Sequence, residues 1–411
     1  MTHQERLDRY ARLTIEHGVN VTEGKFVILN CPVFAAEFGR RVAEYAYKAG
    51  AADVIMNYLD EKFDRIRYDY ADLEQFKSLP EWRAESRNYY ARRGCCNIFI
   101  IAEDPEIFTG VDSEKLKSRA IAAKKAFKEY YDIMDRGELR WTIVAYPNDA
   151  WAKKIFPDDS TDEAVAKLWK AIFKTVRIDD ENDVDRAWRE HDAVLKERAR
   201  KLNERSFSAL HYKNSLGTDF TVGLADEHIW FGGSEADAEG VVYFPNMPTE
   251  EVFTMPDRRR AEGRVVAAMP LSYQGTLIDG FYLDFKDGKV IAHGAEKGKE
   301  ALDRLLDTDE GSRSLGEVAL IPHRSPISDM GILFYETLFD ENASCHLALG
   351  ECYPNTMKGG EKLPEEELFA RGGNRSVNHV DFMIGTADMM IDGITQTGEK
   401  IAVFRDGEFV L

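Results

Sequence analysis

The first half of the chain alternates short apolar runs with helix-like stretches, and this alternation restricts the fold more than any other feature. Runs at 26–30, 53–58, 97–102 and 139–146 read as strands, and helical patterns at 5–17, 35–48, 61–94 and 113–134 separate them. Apolar strands buried on both faces and alternating with helices indicate a parallel α/β sheet. The second helix ends at Gly50, where a left-handed cap suits glycine. Helical patterns continue over 161–173 and 183–205. Beyond about residue 206 the texture changes. Strand-like runs at 218–224, 264–268, 276–285 and 289–293 dominate, with turn signals such as Asp287-Gly288 and Gly232-Gly233 between them. Few long helical patterns remain, chiefly at 296–306. The expected architecture is an α/β N-terminal domain with a mostly parallel sheet over 1–205, then a β-rich α+β C-terminal domain over 206–411.

Composition narrows the function. The 411 residues are 44% hydrophobic, and 54 Lys+Arg stand against 73 Asp+Glu, a net charge of −19. Such an excess of acid disfavours nucleic acid and anionic membrane as partners, since both are bound by Lys and Arg neutralising phosphate. No apolar run approaches the roughly 18–20 residues needed to span a bilayer. The opening MTHQERLDRYARL is charged and amphipathic, unlike a secretory signal, so a cytoplasmic location is expected. Five irregularly spaced cysteines (Cys31, Cys95, Cys96, Cys345, Cys352) without a CxxC pair indicate neither a disulfide framework nor a thiolate zinc site. The first strand-to-helix turn, 28–34, has no glycine, which excludes a dinucleotide fingerprint and a P-loop there. HExxH and GxSxG are absent as well.

The chemistry-bearing residues lie in the second half. Glu250 and Glu251 sit side by side among three prolines, in a backbone too stiff to be helical; an exposed acidic turn is the plain alternative. In an extended segment neighbouring side chains point to opposite sides, so at most one of the two faces a given site. Glu317 precedes an apolar run, where a carboxylate is either a strand-end charge or needs a partner. His346 opens a run of small apolar residues, five positions after Glu341, and Tyr353 follows it; a satisfied core histidine is the alternative. His379 and Asp381, two apart, would share one face of a strand. Together these supply up to four carboxylates, two imidazoles and a tyrosine. Four carboxylates balance two divalent cations, and mixed N and O ligands without thiolate suit catalytic Zn²⁺, Co²⁺ or Mn²⁺.

The motifs PNMPTEEVFTMPD, RSLGEVALIP, LFDENASCHLALG with Tyr353 beyond it, and NHVDFMIG resemble, in order and spacing, the aminopeptidase T family, the AmpS/PepS-type leucyl aminopeptidases of peptidase family M29. LGTDFTVG at 216–223 is a further match, and the resemblance runs along the whole chain. It implies a two-metal site bound by Glu250, Glu317, His346, His379 and Asp381, with Tyr353 at the metals and Glu341 matching a family acid near the centre. It also implies a homodimer whose C-terminal domain holds the metals, acting on peptides with a free N-terminus.

On that reading a metal-activated water attacks the first peptide bond. The base is expected to be an acid beside a ligand, which points to Glu251, with Glu341 and Glu317 behind it, while Tyr353 donates to the oxyanion. The rival is a mononuclear iron ring-cleaving dioxygenase on the same scaffold, with His346, His379 and Asp381 as its triad. Such a triad needs one carboxylate, and this chain keeps Glu250 and Glu317 besides.

Overall fold

The structure is a computed structural model describing residues 1–180 and 183–411. The chain forms two compact units: Met1–His191 with Ser234–Pro248, and Asp192–Gly233 with Thr249–Leu411.

The first unit carries the expected parallel sheet. Strands β1 (Phe26–Pro32), β2 (Asp53–Leu59), β3 (Cys96–Ile101) and β4 (Arg140–Ala145) stand in the order β2-β1-β3-β4, every pair parallel. The apolar run of β1 is buried because helices cover it; Ala36–Lys48, for example, buries Phe38 and Val42. The edge strand β2 is largely open to solvent. The segment expected as one helix over 113–134 is two, Ser113–Ala126 and Lys128–Asp135, which meet at Phe127. The returning segment is tied to β4: Ile143 and Met247 exchange backbone hydrogen bonds with Pro245 and Ile143, and the buried Arg140 guanidinium meets Asp237 at 3.1 Å.

The second unit is built on two antiparallel sheets. Eight strands form one, including Asp219–Leu224, Pro256–Val266 and Met390–Ile394. The other has five: β5 (Phe231–Gly232), β6 (Val252–Thr254), β7 (Leu315–Leu320), β8 (His346–Gly350) and β9 (His379–Met383), in the order β9-β8-β7-β6-β5. One continuous core joins the sheets. Val252, Val318, Leu320, Leu347, Leu349 and Phe382 of the smaller sheet pack in it with Phe220, Val222, Leu283 and Ile391 of the larger. Alternation then sends the intervening residues of β6 to β9 to the opposite face.

Candidate metal centre

That opposite face gathers the predicted residues. Register sets it: Phe253 of β6 pairs with Ala319 of β7, Ala319 with His346 of β8, Glu317 with Ala348, and Ala348 with Asp381 of β9. Cross-strand partners share a face, so Glu317, His346, Asp381 and His379 rise from one surface. Ala319 and Ala348 lie between them and leave room above the sheet.

The distances define two overlapping groups. His346 Nε2 lies 3.2 Å from Glu251 Oε2 and 3.4 Å from Glu317 Oε1. His379 Nε2 lies 3.7 Å from Glu317 Oε2 and 3.5 Å from Asp381 Oδ1. Glu251, Glu317 and His346 form one potential ion site, and Glu317, His379 and Asp381 form the other. Glu317 belongs to both, one oxygen to each imidazole.

Both imidazoles are oriented from behind. His346 Nδ1–H donates to the Glu341 carbonyl at 2.8 Å, and His379 Nδ1–H donates to the Glu351 carbonyl at 2.7 Å. A carbonyl only accepts, so a hydrogen sits on each Nδ1 and each Nε2 is turned towards the carboxylates, free to bind a proton or a metal ion there. With neutral rings acceptors would face acceptors, which is unfavourable unless a proton on each Nε2 or a metal cation stands between them. Asp381 Oδ1 is buried with no hydrogen-bond donor. This donor set fits divalent ions held by N and O ligands.

The titration directions follow from the same crowding. Burial alone would lower both histidines, but Glu251 and Glu317 pull His346 well above its ordinary value, and Asp381 with Glu317 raises His379 to about 9. Burial, then the charges of Asp381 and Glu251, pushes Glu341 up strongly. Burial also raises Glu317, against the pull of His346. Asp381 is lowered: His379 outweighs the cost of its burial.

Of the two adjacent acids, Glu251 is the one grouped with the imidazoles. Glu251, not Glu250, turns its carboxylate to His346. Phe253 lies on the site face, and Glu251, two residues before it and just outside the strand, brings its carboxylate to the same side. Glu250 instead donates its backbone N–H to Asn342 Oδ1 at 2.7 Å, and its charge is felt by Arg198. Glu251, expected as the base, therefore stands among the potential ligands. Glu341 lies beside Asp381, outside both groups. The Tyr353 ring, 42% exposed, packs 4.6 Å from His379, and desolvation of its hydroxyl end together with the charges of Glu317 and Asp381 pushes that hydroxyl up.

Two positioning residues escaped the sequence reading. Asn342, fully buried, binds the Glu250 N–H, the Leu338 carbonyl and, at 3.4 Å, Glu341 Oε1. Asp309 holds the turn that leads into β9. Asn342 lies within the LFDENASCHLALG motif and Asp309 in none, and the roles of both come from distant partners. Cys345 and Cys352 are buried, and the Cys345 thiol donates to the Ile321 carbonyl, away from the imidazoles.

The Thermophilic metalloprotease (M29) family matches residues 3–409. The chain belongs to this family. It is 42% identical over 98% of both chains to aminopeptidase AmpS of Bacillus subtilis, and 41% identical over 99% of both to aminopeptidase T of Thermus thermophilus. The solved structure of wild-type AmpT from Thermus thermophilus superposes with a TM-score of 0.92 at 40% identity, covering both chains fully. As an M29 member the chain is a metal-dependent peptidase, a hydrolase whose relatives are named for exopeptidase activity. The 2,5-dihydroxypyridine dioxygenase of Pseudomonas putida matches with a TM-score of 0.50 at 11% identity over 99% of this chain and 96% of that one. That likeness is one of fold alone. Among the described residues no helix is long and apolar enough to cross a membrane.

Proposed function

We propose that this chain is an aminopeptidase that removes the first residue of peptides at a two-metal centre on the five-stranded sheet. The observation that carries this reading is Glu317, whose two oxygens face two separate imidazoles, each with a carboxylate of its own. Glu251, Glu317 and His346 would hold one ion; Glu317, His379 and Asp381 would hold the other. Bound Zn²⁺, Co²⁺ or Mn²⁺ would supply Lewis acidity and a water acidic enough to serve as nucleophile near neutral pH.

The chain's own residues do the rest. Backbone carbonyls 341 and 351 fix both rings. Glu341, beside a ligand but in neither group, takes the proton from the water and returns it to the leaving amine. The Tyr353 hydroxyl donates to the oxyanion of the tetrahedral intermediate. The substrate's free α-amino group would be held at the loaded centre beside an acid of the cluster, which restricts cleavage to N-termini. The family likeness further supports a cytoplasmic homodimer.

Metal analysis with peptide assays tests this. Two ions per chain at full activity are expected, with activity lost on chelation and restored by metal. One ion at full activity would overturn the two-metal centre; no hydrolysis by the loaded protein would overturn the peptidase. Glu341→Gln is expected to lower kcat by roughly 10²–10⁴-fold with both ions retained. Loss of an ion in that variant would make Glu341 a ligand instead.

A further inference from the structure

The sheet face that carries the cluster does not end at the cluster. In the cross-strand row through His346 and Ala319, the next residue is Phe253 on β6, and the one after it is Phe231 on β5. Their rings lie 6.5 Å apart, tilted by 35°. Phe253 also meets the Tyr353 ring edge-on at 6.3 Å, and Tyr353 in turn packs on His379. Three aromatic rings thus border the centre along one side.

On β6 the neighbours of Phe253, Val252 and Thr254, are fully buried, while Phe253 itself is only partly buried, as is Phe231. Two large apolar rings thus lie partly exposed on the face that otherwise holds carboxylates and imidazoles. With strands ~4.8 Å apart, Phe253 stands two strands from His346, about one side chain's reach.

We propose that Phe253 and Phe231 form the surface that receives the side chain of the peptide's first residue, and that they select large apolar side chains. The inference rests on the aminopeptidase reading above. The α-amino group and the scissile carbonyl of the first residue both sit at the cluster, and its side chain leaves from the carbon between them. On the β6 side of the cluster that side chain meets Phe253, beyond the small Ala319. Phe231, one strand farther out, is reached only by the longest side chains.

The test uses the full-length, metal-loaded enzyme and two dipeptide series, X-Ala and Ala-X, with X as Ala, Leu or Phe. In Phe253→Ala the kcat/KM ratio of Leu-Ala to Ala-Ala is expected to fall by roughly ten- to hundredfold, with the Ala-Leu to Ala-Ala ratio unchanged. Phe231→Ala is expected to penalise Phe-Ala more than Leu-Ala. Calorimetric binding of free L-leucine against L-alanine is expected to lose the same preference in Phe253→Ala without any turnover. Should Phe253→Ala lose its metals, Phe253→Leu is expected to depress the Phe-Ala to Ala-Ala ratio. An unchanged X-Ala ratio, or a loss confined to the Ala-X series, overturns the proposal while leaving the peptidase intact. A wild type that cleaves no dipeptide but still binds leucine over alanine overturns the peptidase and leaves the aromatic surface standing.

Discussion

A methyl group at position 316 would collide with the carbonyl oxygens of Glu351 and Gly350. Gly316 sits at a bulge in β7 between Leu315 and Glu317, and the Glu351 carbonyl it admits is the one that orients His379. Gly316→Ala is therefore expected to displace that carbonyl and loosen the His379 side of the cluster first. Orienting partners of metal-bound histidines are typically worth 10–100-fold in affinity. Metal titration should show one ion weakened by roughly that factor while the ion at His346 holds; equal loss at both sites would refute the assignment. The side-chain types of the centre were legible in the sequence, because few chemistries use four carboxylates with two imidazoles. Which member of Glu250-Glu251 faces inward was not, since the choice depends on pairing with a strand some 65 residues away. Asn342 and Gly316 lie in the quoted motifs, but their roles were hidden for the same reason: each acts on a backbone group that only folding brings near.

The strands of the α/β half follow their apolar runs closely, as β1 and β4 show, since a strand covered on both faces announces itself by composition. The catalytic sheet hides its polarity instead. All residues of β7 and β8 are buried, ligands included, so hydrophobic alternation cannot tell the core face from the site face. What aims β9 is a turn. Asp309 accepts hydrogen bonds from the Ser312 and Val377 N–H groups and from the Ser312 and Ser376 hydroxyls, pinning the residues that precede His379. Burial would raise this carboxyl, but those bonds outweigh it and hold the value below the usual carboxylate range. A folded value below the unfolded one means stability that is present above about pH 3.9 and lost as pH falls through the folded value. Asp309→Asn is expected to cost about 1–3 kcal/mol at pH 7. In urea unfolding of the metal-free protein, the gap to wild type should narrow between pH 4 and pH 3. A gap independent of pH would mean that the charge of Asp309 is not what holds the turn.

Each compact unit is completed by a segment from elsewhere in the chain, so neither reads as one stretch of sequence. The first unit depends on its return segment electrostatically. Arg140 is 1% exposed and its partner Asp237 5%, and the guanidinium also donates to the Val19 and Asn20 carbonyls and to the Thr22 hydroxyl. Removing one member of a buried pair leaves an uncompensated charge, typically costing 3–5 kcal/mol. Asp237→Ala is thus expected to lower the unfolding transition of the first unit, and a chain ending at Arg205, which lacks Asp237, should not fold cooperatively. The second unit has the opposite electrostatic problem, an excess of buried carboxylates around two imidazoles whose repulsion bound cations would relieve. A ligand that binds only the folded state stabilises it by RT ln(1 + [L]/Kd), about 2.7 kcal/mol at a hundredfold excess over Kd. Chelation should therefore lower the transition of the second unit and spare the first, while Asp237→Ala does the reverse. Tryptophan fluorescence can follow both, since Trp151 and Trp188 are buried in the first unit and Trp230 in the second. Chelation that shifts the Trp151 and Trp188 signals as far as that of Trp230, resolved in single-tryptophan variants, would show that the two units unfold together and that metal binding stabilises the chain as one cooperative body.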